Sequence, residues 1–248
     1  KHYIVNGVKK WITGGLFSDY FVTAVRTGGE GIFGISLLLV PRTEGVTTKM
    51  IKTSYGSSAG TAYIIMENVK VPVDHLLGGE NGGFQCIMSN FNHERWFIVC
   101  MLVSACRSVV EECFKWCMQR QVFGKKLMSQ PVIRQKLGTM VSMVESLQSW
   151  LDNITYQMVQ MPISQQFFML GGPIALLKMW STRVSYTVND NAVQIFGGRA
   201  ITKSGMGKYI EEFQRSIKYG AILGGAEEVM ADLGIRLAAR DFPASAKL

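Results

Sequence analysis

The sequence predicts an α+β protein, a partial antiparallel β domain followed by an up-down helical bundle. Three observations carry that prediction. Residues 1–76 hold short β-rich runs set apart by turn residues, residues 77–83 are a glycine-rich switch, and from 84 to the end the apolar residues recur at helical period. The expected organisation is therefore a β domain over 1–76, a linker over 77–83 and a helical domain over 84–248.

In chain order, Tyr3-Ile4-Val5 opens the strand region, and Tyr20 to Val25 and Gly34 to Val40 are runs bounded by Gly, Pro and Asp. Thr61 to Met66 and Val69 to Pro72 read as further strands, with turn residues separating them all. After Leu77-Gly78-Gly79-Glu80-Asn81-Gly82-Gly83, helices are expected near 84–119, 131–160, 173–195, 206–216 and 225–240. Pro131 and Pro173 suit first-turn positions, where no amide donor is needed. Gly197-Gly198 and Gly224-Gly225 punctuate the later helices. Long helices joined by short loops make a bundle.

The 248 residues suffice for one large domain or two smaller ones, and 48% hydrophobic content excludes a disordered chain. A net charge of +8 favours anionic partners. The basic runs stop at Lys9-Lys10 and Lys125-Lys126, too short for a nucleic-acid stripe. Of five cysteines, Cys100, Cys106, Cys113 and Cys117 lie on one predicted helix. No His or second Cys pair completes a zinc set, so no metal site is expected. Buried reduced thiols of an intracellular protein are the expectation, with the compartment left open. With no signal or transmembrane run and no starting Met, the chain reads as the later part of a longer polypeptide.

The segment Gly83 to Trp96 opens the most apolar helix, and Trp96 to Val103 carries no polar side chain. Such a run is expected to be covered on every side. Glu94 stands three residues after Phe91 and four before Ile98, on their helical face. A carboxylate facing a core resists ionisation and can accept a proton near neutral pH. A structural pairing with Arg95 is the alternative on spacing alone.

Four further motifs accompany Asn92-His93-Glu94-Arg95. They are Asn6 to Gly15 with Trp11-Ile12-Thr13, Arg120 to Leu127 followed by Gln130, Ala192 to Gly198, and Ile222 to Val229. In this order and spacing they resemble the acyl-CoA dehydrogenase family, over the second half of its β domain and its whole C-terminal helical domain. The resemblance implies FAD as cofactor, an acyl-CoA thioester as substrate, and an electron-transfer flavoprotein or oxygen as electron acceptor. It also implies a homodimer or homotetramer, because family members share the cofactor between subunits.

The resemblance implies roles residue by residue. Trp11, Ile12 and Thr13 would pack against the isoalloxazine ring, an indole giving a flat apolar face and a threonine a hydroxyl. Arg120 would bind the cofactor's pyrophosphate across a subunit boundary, a task suited to a guanidinium fork. Phe123 would lie against the cofactor and Gln130 would hydrogen-bond it. Gln194, Gly197 and Gly198 would meet the pyrophosphate from the neighbouring subunit, glycines letting amides come close. Ala226 and Glu228 fall in the adenine-contacting turn, with Ala226 where a Thr is usual.

Asn92, Arg95 and Gly225 would contact the substrate. Many members carry their base directly before the glycine of the last motif, where this chain has Gly224. Long-chain and isovaleryl types place it on the first bundle helix, in a Glu-Arg pair, which Glu94-Arg95 matches. Read by itself, each motif also has a structural account: a strand-end Trp, a helix-end Arg, a C-cap glycine. A DNA-binding flavoprotein relative and a non-catalytic assembly scaffold of the same fold are the other readings.

Overall fold

Antiparallel pairing follows from the β-rich runs of the N-terminal part, in the computed structural model, which describes residues 1–243. The strands are β1 (His2–Ile12), β2 (Tyr20–Arg26), β3 (Ile35–Pro41), β4 (Val46–Met50), β5 (Ala62–Pro72) and β6 (Leu76–Leu77). They form two three-stranded antiparallel sheets, ordered β1-β5-β4 and β2-β3-β6. Residues from both sheets, among them Val5, Phe21, Leu38, Val40, Ile64 and Val69, make one buried cluster.

Two details differ from the sequence expectation. The sequence predicts separate strands over Thr61–Met66 and Val69–Pro72, but Ala62–Pro72 is one strand, β5. Val5 pairs with Val69 and Gly7 with Met66, so β5 carries one extra residue across that interval. Asn68, with φ 53, absorbs it. This bulge resets the alternation, so that Ala62, Ile64 and Met66 before it and Val69 and Val71 after it are all buried. Strand β4, Val-Thr-Thr-Lys-Met, has no alternating apolar pattern and gave no signal, because it is an edge strand paired only with β5.

The chain divides into two compact units, Lys1–Asn90 and Phe91 onward. Helix α1 (Gly83–Gln119) begins in the first and continues in the second. The second unit adds a short hairpin of β7 (Gln121–Val122) and β8 (Lys125–Lys126), then α2 (Pro131–Gln160), α3 (Ile163–Met169), α4 (Gly171–Phe196), α5 (Lys208–Ile222) and α6 (Glu227–Arg240). Pro131 is the first residue of α2, and Gly197, with φ 61, caps α4. The short α3 escaped the sequence reading, since seven residues show too little periodicity.

Buried positions on α2 are Ile133, Leu137, Met140, Val144, Leu147, Leu151 and Ile154. That alternation of four and three is the seam of a bundle helix. On α1 the covered stripe runs through Arg95, Ile98, Val99, Val103, Cys106, Val109, Cys113, Trp116 and Cys117. The expectation that Trp96–Val103 is covered on every side is wrong: Phe97 is 53% and Met101 44% exposed. The central helix of the unit is α4, which packs against α2, α5 and α6. Its small polar residues tolerate this because Ser181 and Ser185 donate to the helix carbonyls of Lys178 and Ser181. Among the described residues no helix is long and apolar enough to cross a membrane.

Candidate active site

Within the helical unit the strongest convergence of functional groups is at the turn between α5 and α6. Gly224 and Gly225 have φ of 69 and 117, values that reverse the chain sharply and favour glycine. Arg95, 8% exposed, reaches this turn from α1 and donates from Nε to the Gly224 carbonyl at 2.9 Å. Its guanidinium also lies 5.7 Å from the Phe91 ring centroid and 3.4 Å from Asn92 Oδ1. Residues 92–95 and 224–225 are thus brought together from distant parts of the chain. Burial lowers the Arg95 pKa from its ordinary value, and Glu94 partly offsets this.

Glu94 itself is exposed, which corrects the expectation of a carboxylate turned into the core. Successive helical residues are about 100° apart. The covered stripe of α1 passes through Arg95, so Glu94 falls on its rim, and Phe91, on the same face, is also exposed. A side chain at position 224 has little room, since a Cβ there would sit 2.7 Å from Ile98 Cδ1. The turn therefore presents backbone, and Glu94 immediately precedes the Arg95 that holds it.

A second cation lies beneath the turn, and sequence reasoning missed it. Lys178 of α4 is fully buried and donates to the carbonyls of Ala221 at 3.1 Å and Gly225 at 2.5 Å. Glu227, buried in the first turn of α6, accepts from Thr182 Oγ1 at 2.6 Å and pairs with Arg183 at 2.8 Å. The signal was available: a single lysine within Ala175-Leu176-Leu177-Lys178-Met179-Trp180 is either a surface residue or a buried cation with a task.

Burial pushes the Lys178 pKa down from 10.5 to about 8, with Glu227 opposing and Arg95 reinforcing the shift. Between those values the unfolded chain holds a proton that the folded chain has released, so stability rises with pH across that window. The buried thiols act in the opposite sense. Cys106, Cys113 and Cys117 are raised from 9.0 to about 11, 12 and 11, chiefly by burial, so above 9.0 the unfolded chain loses protons that the folded one keeps. In the full polypeptide, Lys178→Met should remove the rise above about pH 8 and leave the alkaline fall. Urea midpoints measured across that range in both proteins check this, and parallel curves would refute it.

The other site residues of the helical unit fall into two sets. Arg120 is exposed at the end of α1, and Phe123-Gly124, with φ of 49 and 74, form the two-residue turn of the β7–β8 hairpin. Phe123 at its tip is 96% exposed. Gln130 directly precedes Pro131 at the start of α2. At the end of α4 Gln194 is exposed, and no atom lies within 4 Å of where a Cβ would stand on Gly197 or Gly198. Trp116 stacks on Phe196 at 5.5 Å between centroids and carries Arg199 at 4.9 Å over its ring, which joins the ends of α1 and α4.

Arg120, Phe123, Gln130, Gln194, Gly197 and Gly198 therefore share one end of the bundle. Ala226, the N-cap of α6, and exposed Glu228 lie with the Gly224-Gly225 turn near Arg95. From Arg95 to Arg120 α1 rises about 37 Å, so the structure does not bring the two sets together in one chain.

In the β unit Trp11 is 62% exposed with φ 65, where β1 loses register with β5 between Lys9 and Ile12, and Lys10 Nζ lies 4.9 Å from its ring centroid. Ile12 pairs with Ala62 and is half-buried, and Thr13 is exposed in the turn that follows. Exposed aromatic faces, an exposed guanidinium and an uncrowded glycine pair are the donor set that a flavin dinucleotide requires, so these residues fit that group.

Comparison with known proteins identifies the family and the fold. Residues 1–69 match the model of the acyl-CoA dehydrogenase middle domain and residues 81–238 that of the acyl-CoA dehydrogenase C-terminal domain. The acyl-CoA dehydrogenase apdG of Emericella nidulans is 41% identical over 249 residues, covering 100% of this chain and 57% of that protein. The mitochondrial long-chain specific acyl-CoA dehydrogenase of Rattus norvegicus is 27% identical, covering 93% and 53%. The crystal structure of acyl-CoA dehydrogenase from Geobacillus kaustophilus superposes with a TM-score of 0.88 at 26% identity, over 97% of this chain and 62% of that one. The chain spans about half the length of the curated relatives it matches. With both domain models in order along it, and the α+β architecture with a C-terminal helical bundle that they describe, the chain belongs to the acyl-CoA dehydrogenase family.

Proposed function

We propose that the polypeptide carrying this chain catalyses the FAD-dependent α,β-dehydrogenation of an acyl-CoA thioester, with Glu94 as acceptor of the α-proton. The observation that carries this reading is the 2.9 Å bond from Arg95 to the Gly224 carbonyl. It ties the Glu94-Arg95 pair to the turn where the chain has a glycine in place of an acid. Bound FAD supplies the hydride acceptor, and an electron-transfer flavoprotein or oxygen then takes the electrons.

The chain's own residues do the rest. Glu94 takes the proton, Arg95 holds the turn and orients the base, and Asn92 bonds the pantetheine arm of the substrate. Gly225 is assigned a backbone contact near the thioester, its amide shared with the Ile222 carbonyl at 3.3 Å, because the developing enolate needs fixed donors. Among the described residues the Gly224 amide has no partner, which leaves it available for the same task.

For the cofactor, Trp11, Ile12 and Thr13 are assigned to the isoalloxazine ring, and Ala226 and Glu228 to the adenine end. Arg120, Phe123, Gln130, Gln194, Gly197 and Gly198 are assigned to a cofactor held by a neighbouring subunit. What supports that sharing is the length of α1 between the two sets. A homodimer is then the smallest working unit and a homotetramer the family's usual one. The β domain is assigned to residues 1–76 and the helical domain to 84–248, joined by 77–83.

Arg120→Ala in the full polypeptide should weaken FAD binding by about tenfold or more, because a charge-assisted hydrogen bond contributes roughly 1.5–3 kcal/mol. Flavin absorbance after gel filtration reads this directly. Equal absorbance in the variant and its parent would remove the pyrophosphate role.

A further inference from the structure

The Gly224-Gly225 turn is pinned by two cations, only one of which the proposed chemistry uses. Arg95 holds the Gly224 carbonyl from α1. Lys178 holds the carbonyls of Ala221 and Gly225, on either side of Gly224, from α4. We propose that Lys178 is a positioning residue that fixes the backbone of the Gly224-Gly225 turn, and with it the amides this turn presents to the acyl thioester. This rests on the acyl-CoA reading above.

Three physical points carry it. A full ammonium charge buried in a helix core costs several kcal/mol unless its partners repay it. The partners of Lys178 are the carbonyls of the turn itself, so what the lysine secures there is the turn. Two successive glycines at φ 69 and 117 have wide conformational freedom, so their orientation must be imposed from outside. In a planar trans peptide the carbonyl and the N–H point in opposite directions. Drawing the Gly225 carbonyl down to Lys178 thus turns the Ala226 amide away from α4, and drawing the Gly224 carbonyl to Arg95 does the same for the Gly225 amide relative to α1.

The charge is matched locally: the Glu227 carboxylate favours the charged form of Lys178, and Thr182 and Arg183 hold that carboxylate. The lowered pKa of Lys178 fits a cation held in place by geometry in spite of its burial.

The test compares Lys178→Met and Lys178→Gln with the wild-type full polypeptide loaded with FAD. In Lys178→Met, kcat for acyl-CoA should fall on the order of a hundredfold. KM should stay within about threefold, and flavin content should be kept. Hydrogen exchange of the amides over 221–226 should rise by about tenfold or more. Lys178→Gln keeps one donor and should recover part of kcat and of the protection.

A folded Lys178→Met with wild-type kcat and exchange overturns the proposal. Loss of the fold in both variants also overturns it, by giving Lys178 a structural task alone. Absence of turnover by the wild type with every acyl-CoA rejects the acyl-CoA reading, and amide exchange over 221–226 still decides whether Lys178 holds the turn.

Discussion

Glu94→Gln in the full polypeptide is expected to keep FAD bound and to lower its bleaching by acyl-CoA by about a thousandfold, within the range associated with loss of a general base. Glutamine matches glutamate in shape and can still hydrogen-bond, so Arg95 keeps its bond to the Gly224 carbonyl and the turn stays in place. What disappears is the proton acceptor. Of the other acids near the turn, exposed Glu228 is assigned to the adenine end of the cofactor. Position 224 has no side chain, and Glu227 is buried with its two oxygens engaged by Thr182 and Arg183. Stopped-flow absorbance of the bound flavin, mixed with a panel of acyl-CoAs, measures the effect. Bleaching at the parental rate would reject Glu94 as the base, and with it the reading that Glu94 replaces the acid absent at position 224.

How much of this was legible in the sequence depends on how local each signal is. Helix α2 was plain because its buried residues recur every three or four positions and Pro131 marks its start. The pairing of Glu94-Arg95 with the Gly224 turn was legible only through the family resemblance, since spacing cannot reveal a contact across so many residues. Orientation on α1 was misjudged for a physical reason. An apolar run such as Trp96–Val103 does not say which of its faces is covered, and Phe97 and Met101 turn out to lie on the open one. The covered stripe then includes Arg95 and leaves Glu94 at its edge. Lys178 was passed over because a lone lysine is usually exposed. Its burial depends on carbonyls that α5 and the α5–α6 turn supply, and those partners exist only in the folded chain.

The loop that bears Gly197-Gly198 allows a prediction with a larger effect on the fold. Gly207 lies just before α5, and a Cβ added there would stand 1.9 Å from the Arg199 carbonyl oxygen, 2.4 Å from its carbon and 3.0 Å from the Ala200 nitrogen. All three are backbone atoms, so no side chain can swing aside. The turn over 197–201 must move as a unit, although Ala200 is fully buried and Arg199 is seated on the Trp116 ring. Gly207→Ala should therefore destabilise the fold by about 3 kcal/mol or more, at the upper end of overpacking costs. It should also lower FAD content, because the displaced turn carries the glycines assigned to the pyrophosphate.

Gly138→Ala provides the contrast. Gly138 is exposed in the middle of α2 with nothing within 4 Å of its added Cβ, so the same substitution should stabilise by about 1 kcal/mol through helix propensity alone. Urea unfolding of both variants, with flavin absorbance recorded on each, separates the outcomes. If Gly207→Ala unfolds at the parental midpoint, the close approach of Gly207 to the Arg199 backbone is not a constraint on the fold. If it is destabilised yet keeps its full flavin, the 197–201 turn does not hold the cofactor.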